Sequence, residues 1–88
     1  MQVEIITPSK IIFKGEAKLV RVPGTKGSFA MMRNHMPIIS TLEPGIIKIK
    51  EAEKEHFFEL VEPAIIEQHD NVVAILAEQV KEVSSNFI

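Results

Sequence analysis

An all-β fold, a flattened two-sheet sandwich or barrel, is what this 88-residue chain predicts, and three observations carry that expectation. Its apolar residues are rich in Ile and Val, side chains that pack well on a pleated, half-buried surface. They fall in short runs that alternate with polar residues, the period of a strand with one covered face. Turn formers punctuate the runs every several residues, the rhythm of sandwiches and barrels.

The first run, residues 2–7, sets Val3 and Ile5 on one face and Gln2, Glu4 and Ile6 on the other. Pro8 ends it, because proline cannot donate to a ladder and presets a turn. A second run covers 10–14 and stops at Gly15. Residues 17–22 alternate again, with Ala17 and Leu19 opposite Lys18, Val20 and Val22. Residues 23–27 read as a loop, 28–32 as a short strand and 33–37 as irregular chain. Residues 38–42 fit a short strand or a turn, and Glu43-Pro44-Gly45 is a strong turn signal.

Residues 46–50 put Ile47 and Ile49 on one face. The stretch 51–61 opens with good helix formers, Glu51 to Glu55. A hairpin with its turn near 52–54 is expected instead, because a strand precedes it and Phe57, Phe58, Leu60 and Val61 follow. Pro63 marks an edge, a bulge or a strand start. Residues 64–68 and 72–77 form a last pair around a His69-Asp70-Asn71 turn, and 81–88 read as a tail after a domain spanning 1–80. The expected core comprises Ile5, Phe13, Leu19, Phe29, Ile47, Ile49, Phe58, Val73 and Ile75.

Composition narrows the function. A formal charge of −2 with both signs interspersed lacks the basic stripe that nucleic-acid binding needs. The longest apolar run, residues 72–77, falls far short of the ~20 residues that span a bilayer, so no lipid insertion is expected. No secretory leader pattern is visible at the start. Without Cys there is no disulfide framework, thiol nucleophile or thiolate zinc site.

No motif carries catalysis. Gly24-Thr25-Lys26-Gly27-Ser28 fails the phosphate-loop spacing, and it lacks the flanking helices of the nucleic-acid-binding Gly-x-x-Gly clamp. A tight turn is the better reading. His35, His56 and His69 are scattered, with no ligand spacing among them. For His35, beside Asn34 in a loop, a loop-ordering hydrogen bond is favoured over a metal or catalytic role. No catalytic, cofactor-binding or metal residue is therefore expected, and no cofactor. Met31 and Met32 are adjacent on a strand, so only one can face the core and the other is exposed or in an interface, a mild pointer to a partner.

Three separated segments together resemble the N-terminal domain of the ATP synthase epsilon subunit family. The longest runs from Val22-Pro23-Gly24 through Arg33-Asn34-His35-Met36-Pro37-Ile38 and continues to Leu42-Glu43-Pro44-Gly45. The others are Glu4-Ile5-Ile6-Thr7-Pro8 with Phe13-Lys14-Gly15, and residues 70–78, beginning Asp70-Asn71-Val72. The chain departs from the family where Ala30, Arg33 and Met36 replace a usual Gly, Pro and Ala, and where Glu62-Pro63-Ala64 stands for a common Gly pair. The C-terminal helical hairpin of many members is expected to be absent.

The resemblance implies a non-catalytic rotor subunit that binds the gamma subunit and rests on the c-ring, coupling ion flow to ATP synthesis elsewhere. It implies a peripheral position on the cytoplasmic face of the bacterial inner membrane. Family position and chemistry assign partner contact to Thr25, Lys26, Gly27 and Ser28, with Arg33, Asn34 and His35. The alternatives from other classes are a free-standing sandwich module for peptide or carbohydrate, against which the lack of Trp and Tyr weighs, and a small metal enzyme using His35.

Overall fold

A computed structural model describes residues 1–85. These residues form ten strands and no α-helix: β1 Gln2–Ile6, β2 Ile11–Glu16, β3 Leu19–Gly24, β4 Gly27–Met32, β5 Ile38–Leu42, β6 Gly45–Lys50, β7 Glu55–Leu60, β8 Ala64–His69, β9 Val72–Leu76 and β10 Val80–Val83. Hydrogen bonding joins them in the order β10-β7-β6-β3-β5-β8-β9-β1-β2, with β4 on the other side of β3. The sheet folds over into two layers. One holds β4, β3, β6, β7 and β10, and the other holds β5, β8, β9, β1 and β2. The layers join where Gly24 of β3 pairs with Leu42 of β5. All described pairings are antiparallel except β1 with β9, which is parallel.

One apolar core fills the space between the layers. Val3, Ile5, Ile47, Ile49, Phe58, Leu60, Ile66, Val73 and Ile75 are buried there, each at an inward position of an alternating strand. Burying an aliphatic side chain of this size contributes about 1.5–3 kcal/mol, so alternation fixes which face turns inward. Phe13 and Phe29 pack against this core but remain partly exposed.

Leu19 is a correction. It lies on the outer face of β3, and Val20 and Val22 are buried in its place. Both faces of that strand carry aliphatic residues, so the alternation fits either phase. The phase is set by pairing, which puts Val20 opposite the buried Ile49 and Met31.

The hairpin expected over 51–61 forms. Glu51 N donates to Lys54 O at 2.8 Å, and Ile47 and Ile49 pair with Phe58 and His56 across it. A helical nucleus of five residues is too short to compete with that ladder. The ambiguous stretch 38–42 is strand β5, paired along its length with β8. The tail reading needs correction too. Residues 81–83 belong to β10, which pairs with β7 from Val80↔Leu60 to Val83↔Phe57. Backbone pairing at a sheet edge is indifferent to the charges on Lys81 and Glu82, so periodicity does not reveal it. Residues 86–88 of that reading lie outside the described residues.

Candidate functional site

The loop expected over 23–27 is tighter than its sequence suggests. Strand β3 continues through Pro23 and Gly24, so the turn itself is only Thr25-Lys26. Gly27 follows at φ 126°, a backbone conformation that favours glycine. Gly24 has no room for a side chain, because a Cβ there would lie 2.7 Å from Gly27 O and from the Phe29 ring. Thr25 anchors the turn to the other layer. Its N–H donates to Thr41 O at 3.2 Å, and the two hydroxyls are 2.9 Å apart. Lys26, Gly27 and Ser28 are exposed at this tip. The hairpin fulfils neither phosphate-site reading, since it leads into a strand and not a helix.

Arg33, Asn34 and His35 follow at the far end of β4. Strand rise puts Ser28 and Arg33 about 16 Å apart. The seven expected contact residues thus form two separate groups, and the structure does not bring them together.

The second group is held by its neighbours. His35 N donates to Met32 O at 3.1 Å, closing the turn. Asn34 takes φ 67°, a value its short polar side chain tolerates. Its N–H donates to Asn71 Oδ1 at 2.6 Å, and Asn71 Nδ2 donates back to Asn34 Oδ1 at 3.3 Å. Asp70 and Asn71, at φ 52° and 62°, make the two-residue β8–β9 turn, with positive φ at both central positions as such tight hairpins require. Beneath the loop lies Gln68, only 1% exposed. With its amide nitrogen turned to the loop, it donates to Met36 O at 2.7 Å and His35 O at 3.3 Å. His35 itself donates from Nδ1 to Met36 O at 2.7 Å, the loop-ordering role.

Sequence reading missed a third feature, the outer face of the β5–β8–β9–β1 sheet. Thr41, Ile65, Leu76 and Ile6 lie side by side across the four strands. Ile65 and Leu76 are exposed, and Ile39 one step along β5 is 73% exposed. Met36, on the Asn34 loop, is 79% exposed. An open groove of about 570 Å3 at the Thr25 end is lined by Ile6, Thr41, Ile65 and Leu76 among others. The adjacent pair Ile65-Ile66 held the available signal, since neighbours on a strand cannot both turn inward. Met31 and Met32 obey the same rule, at 0% and 61% exposure.

Among the described residues no three His, Asp or Glu side chains gather in a metal-holding group. Here the fold defines a small β-sandwich with exposed apolar side chains on one sheet face and two exposed loop ends.

The family described as ATP synthase, Delta/Epsilon chain, beta-sandwich domain matches residues 1–83, and the chain belongs to that family. An ATP synthase epsilon chain of Leptospira borgpetersenii is 40% identical over 78 residues, covering 89% of this chain and 61% of the relative. One from Campylobacter lari is 33% identical, covering 89% of this chain and 60% of the relative. The chain therefore spans about 60% of the length of these relatives. The fold recurs in a chain of the Euglena gracilis mitochondrial ATP synthase OSCP/F1/c-ring structure, with a TM-score of 0.83 and 15% identity over 97% of this chain and 56% of that one. It recurs also in a chain of the Tetrahymena thermophila mitochondrial ATP synthase central stalk/c-ring structure, with a TM-score of 0.78 and 18% identity over 91% of this chain and 64% of that one.

Proposed function

We propose that the chain acts as a non-catalytic subunit of the rotating central stalk of an F-type ATP synthase. It docks on the gamma subunit and on the c-ring, and so helps couple ion translocation to ATP synthesis in the catalytic subunits. As part of that complex it sits peripherally on the cytoplasmic face of the bacterial inner membrane.

A subunit held between two partners needs two surfaces that do not overlap. The observation that carries this reading is the outer face of β5, β8, β9 and β1, where Ile39, Ile65 and Leu76 are exposed around Glu67. Large exposed apolar patches on small soluble domains mark interaction surfaces. The Arg33-Asn34-His35 loop and Met36 extend this face, and together they are assigned to gamma. The Thr25–Ser28 tip, with Lys26 as its charge, is assigned to the polar loops of the c-ring. Its hydroxyls and lysine suit carbonyl and carboxylate partners. A stable contact buries roughly 800 Å² per partner, which a sheet face supplies and a turn alone does not.

Ile39→Asp and Leu76→Asp place a charge on the face without touching the core. Both variants should fold and should fail to capture purified gamma subunit in a pull-down. Capture equal to the parent chain's would reject the face as the gamma-docking surface.

A further inference from the structure

Of the two buried polar side chains among the described residues, Thr7 and Gln68, Thr7 ties its own turn through Lys10 O at 3.1 Å. Gln68 does something different. Strand β8 points Ala64, Ile66 and Gln68 inward, so an amide occupies a position that alternation reserves for an apolar residue. A buried polar group is costly unless it is hydrogen-bonded, and this one spends its donors on backbone carbonyls of a surface loop, those of His35 and Met36.

Asn71 grips the same loop from the side through its reciprocal pair with Asn34. Asn71 is itself fixed, because its carbonyl accepts from Gln2 N at 2.9 Å. Two side chains from one hairpin thus hold residues 34–36 of a different connection. The loop carries the highly exposed Met36, an adaptable apolar anchor. A loop fixed in advance avoids the ordering cost that a mobile one incurs on binding.

We propose that Gln68 and Asn71 are positioning residues, which hold the 34–36 loop in the shape that meets the gamma subunit. This rests on the docking assignment above. It makes the β8–β9 hairpin a determinant of docking strength even where its side chains do not reach the partner.

The test uses two variants and two readouts. Asn71→Gly keeps the turn, since glycine accepts φ 62° there, and removes only the side chain. Gln68→Met keeps the volume and removes both donors. Amide hydrogen exchange at Asn34 and His35 is read in the free chain by NMR, and affinity is read with purified gamma subunit. Expected are faster exchange at these two amides, unchanged exchange in β1 and β6, and roughly tenfold weaker gamma binding in each variant. If Gln68→Met does not fold, Asn71→Gly alone decides. Unchanged exchange, or faster exchange with parental affinity, overturns the positioning role while leaving the docking surface standing. A parent chain that does not bind gamma overturns the docking assignment and this role with it.

Discussion

Phe13 of β2 and His56 of β7 meet across the two layers with ring centroids 5.0 Å apart. Phe58 completes the cluster, its ring 5.7 Å from Phe13 in an edge-on arrangement. These rings lie at the side of the sandwich where β2 and β10 end the sheet order among the described residues. His56 is tied further to the Glu51 carboxylate through Nε2, and its Nδ1 lies 4.0 Å from Glu82 on β10. The polar edge of the core is thus built from three separate elements.

Phe13→Ala should destabilise the domain by about 2 kcal/mol, below the 3–5 kcal/mol typical of a fully buried aromatic, because Phe13 is only partly covered. Ile75→Ala, at a fully buried site, should cost about 3 kcal/mol. Urea unfolding followed by circular dichroism measures both. A Phe13→Ala midpoint equal to the parent's would show that the aromatic cluster adds nothing.

Two glycines of one hairpin should respond differently to alanine. At Gly24 the new methyl meets Gly27 O and Phe29 at 2.7 Å, so overpacking should cost about 2–3 kcal/mol. At Gly27 nothing lies within 4 Å, and only the φ of 126° opposes the change, for about 1–2 kcal/mol. Thermal melts of the two variants rank them, and a larger loss at Gly27 would reverse the argument.

Charge reversal at Lys26 and at Arg33 should act independently, since the two sites flank opposite ends of β4, whose Ser28 end and Arg33 end are about 16 Å apart. Lys26→Glu should weaken association with purified c-ring and spare gamma, and Arg33→Glu should do the opposite. Effects on binding should add in the double variant, to within about 0.5 kcal/mol. If Lys26→Glu weakened gamma binding as strongly as Arg33→Glu does, the two-surface assignment would fail.

Ending the chain at Gln79 removes β10 and leaves β7 as a free edge beside Phe57 and Phe58. Free edges of apolar strands invite association. The shortened chain should unfold at lower urea and scatter light at concentrations where the parent stays clear. Equal behaviour of the two chains would return residues 81–83 to the status of a tail.

The alternation of Val3 and Ile5, of Ile47 and Ile49, and of Val73 and Ile75 made most of the fold legible, because a one-residue slip there would expose the core. Leu19 shows where that logic stops: a strand with aliphatic residues on both faces takes its phase from its neighbours. The hairpin tip at Thr25-Lys26 and the loop at Asn34 were each visible, but their separation was not, because a strand of six residues between two loops reads the same whichever partner each loop meets. The outward Ile39 and Ile65 became distinguishable from core residues only once the pairing of β5 with β8 was known. Gln68 sat in an apolar-looking run, and its reach to the His35 and Met36 carbonyls depends on a contact between chain segments about 30 residues apart, which local pattern does not encode.

The parallel pairing of β1 with β9 has a consequence during synthesis. Val3 and Ile5 emerge from the ribosome well before their partners Val73 and Ile75, which follow 70 residues later (73 − 3 = 75 − 5 = 70). At about 5–20 residues per second this interval lasts roughly 4–14 s. Until it ends, the nascent first hairpin keeps one edge open and its apolar face uncovered, so closure of the domain waits on a late, long-range encounter. The growing chain is most exposed to chaperones and to mispairing in that window.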